Sequence, residues 1–206
     1  MKNYNIKFIN HSSFIVDDGK YKILTDPWFI SSAFGEWYQN PFPKYNDIKK
    51  ILLNKKKTFI IISHGHDDHL DDFFLKNYLS DCHIIIPDLK SKGFYKRIEK
   101  LTSKKIIEIK KGFNNPFKLG TNYIYNYSND DMEHDSIFLI SNKKDLIIHA
   151  NDNYRVQPNN IIKEIKKISD KKNVYYFSQI GIANSFPICT NMTLKELVII
   201  CLLLVK

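Results

Sequence analysis

A chain of 206 residues that is 43% hydrophobic and 14% aromatic is long enough to bury a domain-sized core, which excludes intrinsic disorder. Its formal net charge of +9 rests on 29 lysines and two arginines, Arg97 and Arg155, with the lysines scattered among Ile and Asn, so it reads as compositional bias and argues against a nucleic-acid partner. The longest apolar run, Leu197 to Val205, falls short of the roughly 20 residues of a spanning helix. No signal-peptide core precedes His11, and Cys82, Cys189 and Cys201 form no CxxC pair. These features predict a cytoplasmic protein without a membrane span.

Tyr4 to Ile9, Ser13 to Val16 and Tyr21 to Thr25 alternate as short strands around the turn Asp17-Asp18-Gly19 and predict an antiparallel meander. Asp26-Pro27-Trp28-Phe29 opens an aromatic loop with Phe34, Trp37, Tyr38 and Phe42, too rich in proline and large rings for a regular element. A helix is expected over 46–53, capped by Asn46 or Asp47, and a buried strand over 58–62. Apolar residues at 70, 73, 74, 75 and 79 predict a helix over 70–79, followed by a strand over 83–86. A helix over 91–101 and a strand over 104–109 continue the alternation. Strands at 123–127, 136–140 and 146–149, a helix over 158–168 opened by Pro158, and a strand over 174–177 complete it. With no linker or repeat, the expectation is one domain over 1–190 and an atypical apolar tail over 191–206.

Directly after the strand over 58–62 comes His64-Gly65-His66-Asp67-Asp68-His69. Three of the chain's seven histidines fall within these six positions, a concentration that a merely solvated loop does not need. Imidazole and carboxylate together suit zinc, manganese or iron, and a loop leaving a buried strand aims alternate side chains at one point, with Gly65 allowing a tight bend. Asp26 reads as a carboxylate that orients a metal-binding histidine. His11, at a strand boundary, reads as a structural hydrogen-bonding group ahead of a substrate contact, His83 as structural, and His149 as a core residue or one that supports a metal ligand from behind.

The string His-x-His-x-Asp-His after an apolar strand resembles the signature of the metallo-β-lactamase fold superfamily of metal-dependent hydrolases. The resemblance implies an α/β fold, a four-layer αββα sandwich of two mixed sheets flanked by helices. It also implies a cleft for one or two divalent ions, zinc first. His64, His66 and His134 would hold one, Asp68 and His69 the other, and Asp152 would bridge them. A narrower resemblance, carried by Asn10-His11-Ser12-Ser13, Asp26-Pro27-Trp28-Phe29 and Gly181-Ile182-Ala183-Asn184-Ser185-Phe186-Pro187, is to the hydrolase-fold portion of CMP-N-acetylneuraminate hydroxylase. Ascorbate 6-phosphate lactonases and N-acyl ethanolamine phospholipid phosphodiesterases share the first two strings.

The implied chemistry is attack by metal-activated water on an ester, lactone or phosphodiester of a small sugar- or phosphate-containing metabolite, with Asp68 as the catalytic carboxylate that orients the water and takes its proton. Two other readings remain open. One is a truncated, non-catalytic metal-binding remnant, which the unpatterned tail and the lack of a histidine after His149 favour. The other is a nucleic-acid phosphodiesterase, which the basic charge favours and the short chain opposes.

Overall fold

The computed structural model describes residues 3–53, 57–89, 92–127, 135–152 and 158–178. The chain divides into two compact units, Met1–Lys111 and Gly112–Lys206. His134, the Gly181–Pro187 string and the expected tail lie outside the described residues.

In the first unit six strands form one sheet in the order β1 to β6: β1 Asn5–Asn10, β2 Ser13–Asp17, β3 Lys22–Thr25, β4 Thr58–Ile61, β5 His83–Pro87 and β6 Ile107–Ile109. The β1-β2 and β2-β3 pairs are antiparallel, while β3, β4, β5 and β6 run parallel. Short turns join the first three strands, and each parallel step needs a longer crossover that carries a helix. These helices are α1 Tyr45–Leu52, a mixed α2 over 72–79 and α3 Gly93–Glu99. Parallel strands covered on both faces read as continuous apolar runs, and Ile60, Ile61, Ile62, Ile84, Ile85 and Ile86 are all buried.

Two helices differ from expectation. The N-cap of α1 is Lys44, with no side-chain bond, instead of Asn46 or Asp47; Asp47 sits in the first turn, where it complements the helix dipole, and pairs with Lys7. The helix expected over 70–79 makes one α-turn, Asp72–Phe74, and then widens into a π-helical turn, Leu75–Leu79. The apolar spacing was compatible with both, since Phe74, Leu75 and Leu79 all enter the core with Leu24, Phe29, Ile60 and Ile98.

Because β1 and β3 are both antiparallel to β2, β1 points the same way as β3 and β4. Three segments therefore leave one edge of the sheet: the hairpin tip at His11, the corner at Asp26, and the stretch from Ser63 to Asp71. In parallel sheets this carboxyl edge is where ligand-binding loops gather.

In the second unit β7 Gly112–Leu119, β8 Asn122–Tyr127, β9 Ile137–Ser141, β10 Asp145–Asn151 and β11 Asn173–Ser178 form a sheet in the order β11-β10-β9-β8-β7. The β10-β11 pair is parallel, joined through α4 Pro158–Ser169, and the rest are antiparallel. Ile137, Leu139, Leu146, Ile148 and Ile165 form its core. Strand β7 is not expected from the sequence, because Asn114, Asn115 and Pro116 in its middle read as loop. It lies at the sheet edge and its register with β8 jumps between Gly112 and Phe117, so the proline removes no ladder bond. Two mixed sheets with flanking helices give the α/β class that the sequence predicts.

Candidate metal centre

The hairpin tip is tied to the end of β3 by buried hydroxyls. Ser13 Oγ donates to Thr25 O at 2.7 Å, Phe14 N–H to Thr25 Oγ1 at 3.0 Å, and Thr25 Oγ1 to Ser12 O at 2.9 Å. Asn10 Nδ2 donates to Trp28 O at 3.0 Å. His11 and Asp26 sit at φ of +41° and +35°, the left-handed region that costs a side chain about 1 kcal/mol or more. Both strained residues face one sheet edge, where side-chain direction is what the strain secures.

Three groups hold the motif loop. Asp26 Oδ1 accepts Ser63 N–H at 2.7 Å and its Oδ2 accepts Ser63 Oγ at 2.8 Å. Arg97, from α3, donates from Nη1 to Gly65 O at 2.6 Å, from Nη2 to Asp67 at 2.9 Å, and from Nε to both oxygens of Asp72 at 3.0 and 3.1 Å. Asp71 accepts N–H bonds from Phe29, Ile30 and Ser31 and so fastens the aromatic loop to the motif. Gly65 has no left-handed φ. A Cβ there would stand 3.1 Å from Phe94 Cδ2, so close approach of the ring, and not a tight bend, calls for glycine.

On this frame His69, fully buried, turns Nδ1 to Asp26 Oδ2 at 3.2 Å and Nε2 to Asp68 Oδ2 at 3.9 Å. Asp68 Oδ2 is also 3.3 Å from His11 Nε2. His64 Nδ1 lies 3.0 Å from Ser63 Oγ, and His64 Nε2 lies 2.8 Å from His66 Nδ1. Since the Ser63 hydroxyl donates to Asp26, His64 meets it as Nδ1–H and keeps its lone pair on Nε2. The His64 and His69 rings are 4.2 Å apart between centroids. Burial works against charge on Asp68, but the hydrogen bond from His11 and the fields of His69 and His11 outweigh it and hold the carboxyl at about 2. Its Oδ1 is buried with no hydrogen-bond partner among the described residues.

The first unit thus brings together His64, His66, Asp68 and His69, with Asp26 on His69. It adds His11, which sequence reasoning left as structural; its available signal was the strand direction that returns the hairpin tip to the motif's edge. Asp152 follows β10 in the second unit, half-buried, with its N–H bonded to Asn151. His149 is buried in β10 opposite Phe138, and His83 stacks on Phe59 at 5.2 Å. Imidazole nitrogens, an ionised carboxylate and a buried oxygen without a donor make a set that suits a divalent ion.

The beta-lactamase superfamily domain family matches residues 5–173. The chain belongs to the metallo-β-lactamase superfamily. A superfamily relative, a UPF0173 metal-dependent hydrolase from Rhizobium meliloti (strain 1021), is 34% identical over 68 residues, 33% of this chain and 25% of that one. A putative Rieske 2Fe-2S iron-sulfur protein from Mycolicibacterium smegmatis (strain ATCC 700084 / mc(2)155) is 29% identical over 94 residues, 45% of this chain and 18% of that one, so the chain matches a quarter or less of the length of either relative. Among solved structures, CmlA, a diiron β-hydroxylase from Streptomyces venezuelae, aligns with a TM-score of 0.61 at 14% identity, over 82% of this chain and 33% of that chain. A possible metal-dependent hydrolase from Veillonella parvula DSM 2008 aligns with a TM-score of 0.54 at 10% identity, covering 85% of both chains. At these identities the likeness is one of fold.

Proposed function

We propose that the chain is a metal-dependent hydrolase of an ester, lactone or phosphodiester in a small sugar- or phosphate-containing metabolite. His64, His66, Asp68 and His69 would hold one or two divalent ions, zinc ahead of manganese or iron. The observation that carries this reading is the convergence of these four side chains on one sheet edge, with Asp26 oriented on His69. When bound, a divalent ion would supply Lewis acidity and lower the pKa of a water molecule toward neutrality.

The remaining work belongs to the chain. Asp26 takes the Nδ1 side of His69, and Ser63 the Nδ1 side of His64, so both present Nε2. Asp68 is ionised throughout the physiological range and has one oxygen uncommitted among the described residues, which equips it to orient an attacking water by accepting a hydrogen bond from it. Phe34, its ring 6.1 Å from His66, places an apolar wall where the substrate's non-reacting part would lie. No helix among the described residues is long and apolar enough to cross a membrane.

Elemental analysis of the purified chain, with His64→Ala as control, and a screen of lactones, esters and phosphodiesters with and without chelator test the proposal. The expected result is metal that His64→Ala loses and chelator-sensitive turnover that Asp68→Asn removes with the fold intact. Metal-free wild-type protein, or turnover indifferent to both chelator and Asp68→Asn, overturns it.

A further inference from the structure

We propose that His11 is itself a metal ligand, completing with Asp68 and His69 a three-donor site for a divalent cation within the first unit. The inference rests on the reading above, that the motif loop holds metal, and assigns a ligand that the motif does not contain.

Three observations converge on it. The first is spacing. Ligands about 2.0–2.1 Å from a tetrahedral zinc stand about 3.3 Å from one another, whereas a nitrogen and a carboxylate bonded directly in an ion pair close to about 2.7–2.9 Å. His11 Nε2 is 3.3 Å from Asp68 Oδ2, long for the hydrogen bond that the pair makes without an ion, and His69 Nε2 is 3.9 Å from the same oxygen, so both nitrogens flank one carboxylate oxygen at distances near those of ligands that share an ion. The donor atoms of His11, Asp68 and His69 all lie within 4.8 Å of one another. The second is the acceptor need of Asp68. Its Oδ1 is buried without a donor among the described residues, a cost that a cation held by the same carboxylate offsets.

The third is the way His11 is presented. A hairpin tip with φ of +41° is a position where Gly or Asn is the less strained choice, and a histidine there is justified by its side chain. Its ring is set edge-on against Trp28 at 5.3 Å and against His69 at 5.2 Å, which fixes the direction of Nε2. The side chain is 28% exposed, so the site keeps an open side toward solvent, as a catalytic ion requires.

The test is a cobalt(II) titration of the chelator-stripped chain, read by visible absorption and by equivalents bound, in wild type, His11→Asn and His64→Ala. Asparagine tolerates the left-handed backbone and is too short to replace Nε2, and tryptophan fluorescence melts of the metal-free proteins check that the fold is kept. The expected result is that His11→Asn weakens one binding step by about 100-fold or more and leaves the His64-dependent step in place. If His11→Asn titrates like wild type while His64→Ala does not, the His11 ligand is refuted and the metal-dependent reading stands. If wild type binds no cobalt, both fall. A second measurement needs no variant: carbethoxylation of His11 in wild type, mapped by mass spectrometry, is expected to drop when zinc is added. Equal labelling with and without zinc overturns the assignment.

Discussion

Replacing Asp71 with asparagine exchanges one oxygen for an NH2 group, with almost no change of shape, at a residue only 1% exposed. In the native chain Asp71 Oδ2 accepts N–H bonds from Phe29, Ile30 and Ser31 at 3.1, 2.7 and 2.9 Å. Its Oδ1 accepts from Ser31 Oγ at 2.7 Å and from Phe74 N–H at 2.9 Å. An asparagine can keep its carbonyl on the three-donor side, which leaves its NH2 facing the Phe74 N–H. One helix cap then becomes donor against donor, at about 1–3 kcal/mol, and three charge-assisted bonds become neutral ones, at about 1 kcal/mol each. Relief from burying a charge offsets part of this, and the expected net loss is about 2–4 kcal/mol. Trp28 and Trp37, the chain's two tryptophans, both belong to the first unit, so urea unfolding followed by their fluorescence reads that unit. Burial raises the Asp71 carboxyl, but the N–H groups of Ser31, Phe74 and Ile30 and the Ser31 hydroxyl outweigh it, so its pKa lies below the ordinary 3.8. A depressed carboxylate stabilises fully above its unfolded value and loses that contribution as pH falls through the folded one. The gap between wild type and Asp71→Asn should be flat from pH 7 to about 5 and narrow below that. A gap under about 1 kcal/mol at pH 7, or one that widens toward acid, refutes this account of the residue.

Arg97→Lys keeps the charge but cannot reach Gly65 O, Asp67 and Asp72 together; the expected result is a stability loss of about 1 kcal/mol and about tenfold weaker metal binding in a chelator-competition assay. Gly65→Ala forces Phe94 to move and should cost about 1–3 kcal/mol in denaturant unfolding, with most of the cost removed in the Gly65→Ala, Phe94→Leu double variant. An undiminished cost in that double variant would mean that the backbone, and not the ring, is the obstacle. Asp26→Asn places an amide where His69 Nδ1 and Ser63 both need an acceptor, and metal affinity should fall about 10–100-fold with the number of equivalents bound at saturation unchanged.

That difference between affinity and stoichiometry follows from how the site is built, and it also explains what could be read from the sequence. His64, His66, Asp68 and His69 were legible because they are contiguous and follow an apolar run that can only be a buried strand. What fixes them in place is remote: Asp26 at the end of a neighbouring strand, Arg97 on the next helix but one, Asp71 bonded back to the aromatic loop. Of these only Asp26 had a sequence signal, the Asp-Pro corner; Arg97 was visible merely as one of two arginines. His11 could have been placed by topology alone, since two hairpins followed by a parallel crossover return the tip of the first to the motif's edge. The direction of its ring depends on a positive φ, which no alternation of polar and apolar residues encodes. Strand β7 and the widened turn of α2 were hidden for a related reason, because Pro116 reads as a break until an edge position makes it harmless, and an apolar period near 3.6 fits an α- or a π-turn over five residues equally well. Ligand identity is therefore local information and ligand direction is tertiary information. Substitutions in the local set should change how many ions bind, while substitutions in the remote set should change how tightly they bind, and a remote variant that removed an equivalent outright at saturation would contradict this division.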